Sequence, residues 1–387
     1  MIKIKTAYTQ ELDGHRKAIN DILSQIDIKN GLLKNSVALI FCHAKFIETG
    51  IMEAVACSLP FDALGCTSHY FAVRQAFGEF MLTVTVLTSD DVEFSVGVSG
   101  PLAEENVQAA VESLYRETAS LPGAEPSLVF AFPPTIMDLT GDVMLSALDR
   151  ACAGIPIFGT EALDVAVHVR NPMTIFRGAA YRDRMAVLLF RGAVKPRFQC
   201  FAFPAKSVIS QDAVITGAEG NRILSINNGP ADSFMKEMGL FQDNQHAITP
   251  AIPLVIEGGG NPEPKVLIVH AIGSNGELIC GSQVRAGCTV NIGSITSDYV
   301  FESLNALIQE IKKNGEGDGL FVCSCFSRSI VLGGNPLAEM EMFQKELESM
   351  SCPYLFLSSG GEPCPHYTEE GGLVNHMHQY ALTACQF

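Results

Sequence analysis

One order of elements recurs three times along this chain, and it limits the folds open to it. A short apolar run of strand length leads to a helical stretch. A second strand then stops at small residues, and further strands follow. The first copy runs through Ser36–Phe41, a helical stretch near 47–58, and Asp62–Thr67 with its end at Gly65-Cys66-Thr67. Strands over Phe80–Thr88 and Asp91–Val98 come next. The second copy has Ser127–Phe132, a helix over 142–153, and Ile155–Thr160 ending in Gly159-Thr160, with strands near 174–180 and 184–190. The third has Leu320–Cys325, then a helix over 336–350 that turns Leu337, Met340, Phe343, Leu347 and Met350 inward. Pro353–Leu357 runs into Ser358-Ser359-Gly360-Gly361, and a strand from about 378 closes the chain.

A strand, a crossover helix and a second strand give a parallel pair, whereas strands that follow one another directly pair antiparallel. The expected class is therefore α/β (α+β): mixed β-sheets layered with helices, with internal strand-helix-strand repeats and two domains. Two further helices are expected. One spans 9–26, where Leu12, Ile19, Ile22, Leu23 and Ile26 share a stripe. The other opens at Pro101, carries Val107, Ala110, Val111 and Leu114 at i, i+3, i+4 and i+7, and ends at Leu121-Pro122-Gly123. At ~150 residues per domain, 387 residues suit two. The joint is expected near 192–205, where Gly192, Pro196 and Pro204 punctuate the chain, giving units 1–195 and 196–387. Phe198–Phe203 could itself be a strand. The loop Glu257–Pro264 reads as surface.

Composition narrows the function. Hydrophobic residues are 47% and charged residues 18%, so the chain can bury enough apolar surface to fold. Its formal charge of −16 disfavours nucleic acid as a partner, since Arg182 with Arg184 and Lys195 with Arg197 are too sparse for a basic patch. Apolar stretches such as 184–190 and 266–272 fall short of the ~20 residues of a membrane span. No signal-peptide pattern follows Met1. The expectation is a soluble, cytoplasmic protein with no membrane partner. Twelve cysteines without a Cys-x-x-Cys read as free thiols, with Cys323 and Cys325 on one face of a strand.

Nucleophile elbows, phosphate loops, zinc-protease helices and dinucleotide fingerprints are all missing from the sequence, so neither catalysis nor a cofactor is expected. The most informative segment is Cys323-Ser324-Cys325-Phe326-Ser327-Arg328, at the end of an apolar strand. Arg328 offers a rigid donor fork for a carboxylate, and Glu362, after the next strand, could meet it. Together with exposed backbone amides they could hold an amino acid by both charged ends. A structural Arg–Glu pair joining two loops is an equal alternative. His366, His376 and His378 form a local group with Cys364 that could supply metal ligands.

The same segments resemble the FIST family, the F-box and intracellular signal transduction sensory domains. The segments Phe321–Arg328, Pro353–Glu362 and Val374-Asn375-His376 are similar, in order, to the elements of a C-terminal FIST unit. Ile223–Ala231, Gly276–Gly281 and Arg285–Cys288 are similar to its upstream landmarks, and Leu64-Gly65-Cys66-Thr67 to the turn of an N-terminal unit. Two departures stand out. Ser68-His69-Tyr70 follows where the family continues with a residue and a glycine, and Asn375-His376-Met377 replaces the closing Asn-x-Thr.

The resemblance implies a small-molecule sensor, with amino acids as proposed ligands and haem in some members. It also implies a separate signalling output protein as partner, since the two units use up the chain. The motif and the resemblance together place Gly65, Cys66, Thr67, Ser324, Cys325, Arg328, Gly361, Glu362 and Asn375 at the ligand. A thiol-dependent enzyme using Cys325 or Cys66, and a haem-binding gas sensor using the histidine group, are the alternatives.

Overall fold

A computed structural model describes residues 2–165, 171–202, 207–240, 253–258, 264–315, 317–368 and 372–387. Its three main sheets are three variations on one unit. In each, two parallel strands flank a helical crossover: Asn35–Cys42 beside Ala63–Thr67, Pro126–Phe132 beside Ile157–Gly159, and Leu320–Cys325 beside Tyr354–Ser359. In each, a later strand pairs antiparallel with the outer side of the first: Leu82–Ser89, Ala186–Arg191 and Leu382–Gln386. The mixed α/β class and the threefold recurrence expected from the sequence are both present.

Side-chain alternation shows why the sheets assemble as they do. Along Asn35–Cys42, Val37, Leu39 and Phe41 point to one face, while Ala38, Ile40 and Cys42 point to the other. The first set joins a core shared by all three sheets, with Phe130, Phe132 and Phe158 from the second and Phe321, Leu355 and Leu357 from the third. The second set packs under helices His15–Ile26 and Ile51–Ser58. Val129 and Ala131 lie likewise under Val107–Ala119 and Gly141–Cys152. Val322 and Phe356 lie under Ser297–Asn314 and Ala338–Glu346. Three sheets thus wall one phenylalanine-rich centre, and helices cover their outer faces. The continuous apolar runs of these strands follow from burial on both faces.

The walls are shared along the chain. The hairpin Phe71–Val73/Ala76–Gly78 leaves the first unit and pairs with Tyr354–Ser359 of the third. The described strands between Val208 and Gly293 add an antiparallel sheet with its own core of Ile215, Ile223, Leu254, Leu278 and Val290.

Several expectations need correction. The stretch 9–26 is not one helix. Ile2–Thr9 is a strand that buries Ile2 and Ile4 on one face and Ala7 on the other, and the helix begins at His15 after Gly14. The helix expected from Pro101 begins at Val107, because the Asn106 side chain accepts from Ala103 N–H and donates to Pro101 O, holding 101–106 as a turn. The single strand near 174–180 is a hairpin, Thr174–Phe176/Ala179–Tyr181, reversed at Arg177 (φ 50°) and Gly178 (φ 83°). Arg197–Phe201 is a strand beside Leu382–Gln386. Much of the loop 257–264 lies outside the described residues. Among the described residues, no helix is long and apolar enough to cross a membrane.

Candidate functional site

The carboxyl ends of the three parallel pairs converge, and that convergence brings together the turns after Thr67, Gly159 and Ser359. A Cβ on Gly65 would stand 2.0 Å from Ile40 O, and one on Gly159 would stand 1.9 Å from Ala131 O. These two glycines therefore let the second strand of each unit lie close against the first. Beyond them the turns interlock. The Cys66 thiol approaches Thr160 O (3.9 Å), Thr160 Oγ1 donates to Ser359 Oγ (2.8 Å), and Glu161 N donates to Gly361 O (2.9 Å). Ser68 Oγ donates to Ser358 O (2.5 Å), and Leu163 N donates to Thr67 O (2.9 Å). Thr67 Oγ1 accepts from Met173 N at 2.9 Å, which pins the hairpin after 173 to the junction.

Arg328 sits in the short helix Phe326–Val331 and is fully buried. Its partner is Glu339, in the first turn of Ala338–Glu346, rather than Glu362. Nε and Nη2 donate to Glu339 Oε1 at 3.1 and 2.5 Å. Nη2 also donates to Ser303 Oγ (2.9 Å) and Val300 O (3.1 Å). Ser324 joins the node by accepting from Nε (3.2 Å) and donating to Glu339 Oε2 (2.7 Å). Two ends remain open. Arg328 Nη1 and both carboxylate oxygens of Glu362 are buried without a hydrogen-bond partner. Burial pushes the Glu362 carboxyl well above the usual carboxylate range, opposed more weakly by the Ser359 side chain and the Ala381 backbone and, after them, by the Arg328 charge.

Asn375 is committed elsewhere. Its Nδ2 donates to Asp149 Oδ1 (2.6 Å) and Ile155 O (2.9 Å), and its Oδ1 accepts from Ile157 N (2.8 Å). It clasps the C-terminal hairpin Glu362–Tyr367/Leu373–His378 to the second unit and is not directed at Arg328 or Glu362. Cys66 and Cys325 are buried, and burial pushes both thiols up, away from the thiolate a nucleophile needs.

His366, His376 and His378 do meet, on one face of that hairpin, with ring centroids 4.6–6.1 Å apart. His378 Nε2 lies 3.1 Å from Cys364 O, and burial with two neighbouring imidazoles lowers His378 to about 3.

A second side-chain group at the convergence was not singled out from the sequence. His43 directly follows strand Asn35–Cys42, His69 lies two residues beyond Ala63–Thr67, and Glu79 follows the hairpin strand Ala76–Gly78. The ring of Phe326, the residue after Cys325, stands edge-on to His69 at 5.5 Å. The one signal in the sequence was the departure at Ser68-His69-Tyr70. Its partners His43 and Glu79 are distant along the chain.

Comparison with known families agrees with this architecture. The FIST N domain matches residues 36–229, and the FIST C domain matches residues 233–365. The chain belongs to the FIST family. FIST domains are sensory, small-ligand-binding domains of signal transduction, and this FIST protein carries both units. Among curated proteins, none matches its sequence. A solved structure, T. maritima PurL complexed with FGAR, aligns with 99% of this chain and 72% of its own at 8% identity. Its TM-score of 0.21 carries no argument about fold or function.

Proposed function

We propose that this FIST protein is a cytoplasmic sensor that binds an amino acid, or a similar zwitterionic metabolite, between Arg328 and Glu362 and signals through a separate output protein without catalysing a reaction. One observation carries the reading. A buried guanidinium nitrogen of Arg328 and the buried carboxyl group of Glu362, kept protonated by burial until an ammonium meets it, both stand without a hydrogen-bond partner. Each orphaned polar group costs about 1–3 kcal/mol. A ligand with a carboxylate at one end and an ammonium at the other would satisfy both. The Glu339 ion pair holds the guanidinium in place, so its free edge is already oriented. Because Arg328 and Glu362 are both sealed, access requires the turns at Gly360-Gly361 to part. That movement would report occupancy to a partner. The raised thiols at Cys66 and Cys325 support binding over thiolate catalysis.

Thermal denaturation against a panel of the standard amino acids tests the reading. A true ligand at 100 times its dissociation constant adds about 2.7 kcal/mol of stability, and Glu362→Gln should abolish the gain. Absence of stabilisation by every member of the panel overturns the proposal.

A further inference from the structure

His43, His69 and Glu79 come from three separate turns and present one ligand atom each within 4.8 Å of one another. His43 Nε2 lies 3.8 Å from Glu79 Oε1, and His69 Nε2 lies 3.6 Å from the same oxygen. Neither distance is a hydrogen bond. Four-coordinate zinc with bonds of 2.0–2.2 Å sets neighbouring ligand atoms about 3.3 Å apart, so each His–Glu spacing is within about half an ångström of that, and the three atoms, now within 4.8 Å of one another, draw together on binding. The imidazoles are 13% and 11% exposed and the carboxylate 37%, which gives a sheltered site with one open side. Phe80 packs against His43 with ring centroids 4.6 Å apart, and Tyr70 against His69 at 4.4 Å, fixing both rings.

The charge balance favours a cation. Beside the Glu79 carboxylate, Asp164 adds a second acidic group near both imidazoles. The two imidazoles thus face one carboxylate oxygen from two separate turns. His69 Nδ1 is buried without a hydrogen-bond partner, so no contact ties its proton to either nitrogen.

We propose that His43, His69 and Glu79 form a binding site for a divalent transition metal of the zinc class, with a fourth coordination position left to water or a small ligand. Imidazole and carboxylate together suit borderline cations such as Zn²⁺, Co²⁺ and Ni²⁺. The site is independent of the amino-acid reading and stands or falls without it. Occupancy has a local consequence. Lys45 N–H now donates to His43 Nδ1 at 3.1 Å. A metal on Nε2 moves the ring proton to Nδ1, which breaks that bond and shifts the turn Lys45–Glu48.

The test is titration of the chelator-treated full chain with Zn²⁺ by calorimetry and with Co²⁺ by visible absorption. The expected result is one equivalent at this site, weakened at least about tenfold in His69→Ala and in Glu79→Gln. His376→Ala, in the other histidine group, should leave that equivalent intact. Glu79 is the most exposed ligand, so Glu79→Gln keeps the test valid if His69→Ala fails to fold. A Zn²⁺-dependent shift of the Lys45 amide resonance is the independent readout. The proposal is overturned if neither metal binds, or if binding survives both ligand variants and is lost in His376→Ala.

Discussion

At the scale of single residues, Arg328 shows how a buried charge is made tolerable. Its guanidinium is removed from water and would carry a desolvation cost of several kcal/mol alone, but Glu339, Ser303, Ser324 and Val300 O together occupy the three N–H donors of Nε and Nη2. Glu339→Ala leaves that charge uncompensated and should cost about 3–5 kcal/mol, read as a lowered denaturant midpoint at unchanged slope. Replacing both partners with methionine should cost much less, because no buried charge is then stranded. A single variant costing under about 1 kcal/mol would show that Arg328 is not held as described. The sequence made Arg328 legible as a donor at a strand end, but its partner was not. Glu362 is next in strand order, whereas Glu339 reaches the guanidinium from the crossover helix. Nothing in linear spacing distinguishes those routes.

At the scale of elements, the C-terminal hairpin is the clasp between units. Asn375 holds its outer strand to Asp149, Ile155 and Ile157, and His378 anchors its inner end on Cys364 O. His378 is lowered to about 3, against an ordinary value near 6.5. Between those values the unfolded chain binds the extra proton, so stability rises with pH there. The contribution is complete above about pH 6.5 and is lost progressively as pH falls toward 3, at up to about 1.4 kcal/mol per pH unit. Denaturation midpoints between pH 7 and 4.5 should therefore fall less steeply for His378→Gln than for the parent. Equal slopes would remove His378 as a source of acid lability. Strand and helix identity in the repeats were legible because their apolar runs are long and bounded by small residues. The element ends were less so. Asn106 closes a turn that delays its helix, and Lys3 and Lys5, on either side of Ile4, hide an edge strand.

At the scale of the whole molecule, the threefold recurrence could be read along the chain, but its closure around one centre could not. Phe41, Phe132 and Phe158 look like ordinary strand residues until Phe321, Leu355 and Leu357 complete the third wall. The same closure explains why the candidate sites were only half visible. Arg328 and Glu362 belong to one repeat and could be paired on paper, whereas His43 and His69 meet across a parallel strand pair, Glu79 joins from the hairpin Phe71–Gly78, and Phe326 reaches them because that hairpin joins the first wall to the third. A division at residue 195 leaves that hairpin without its partner strand Tyr354–Ser359 and opens the central core on one side. Residues 1–195 expressed alone should then expose Phe41, Phe130, Phe132 and Phe158, bind 8-anilinonaphthalene-1-sulfonate and aggregate, while the full chain does neither. A soluble, monomeric 1–195 fragment with a sharp cooperative melt would mean that the third wall is not needed to close the core, and that the first two sheets form a folding unit of their own.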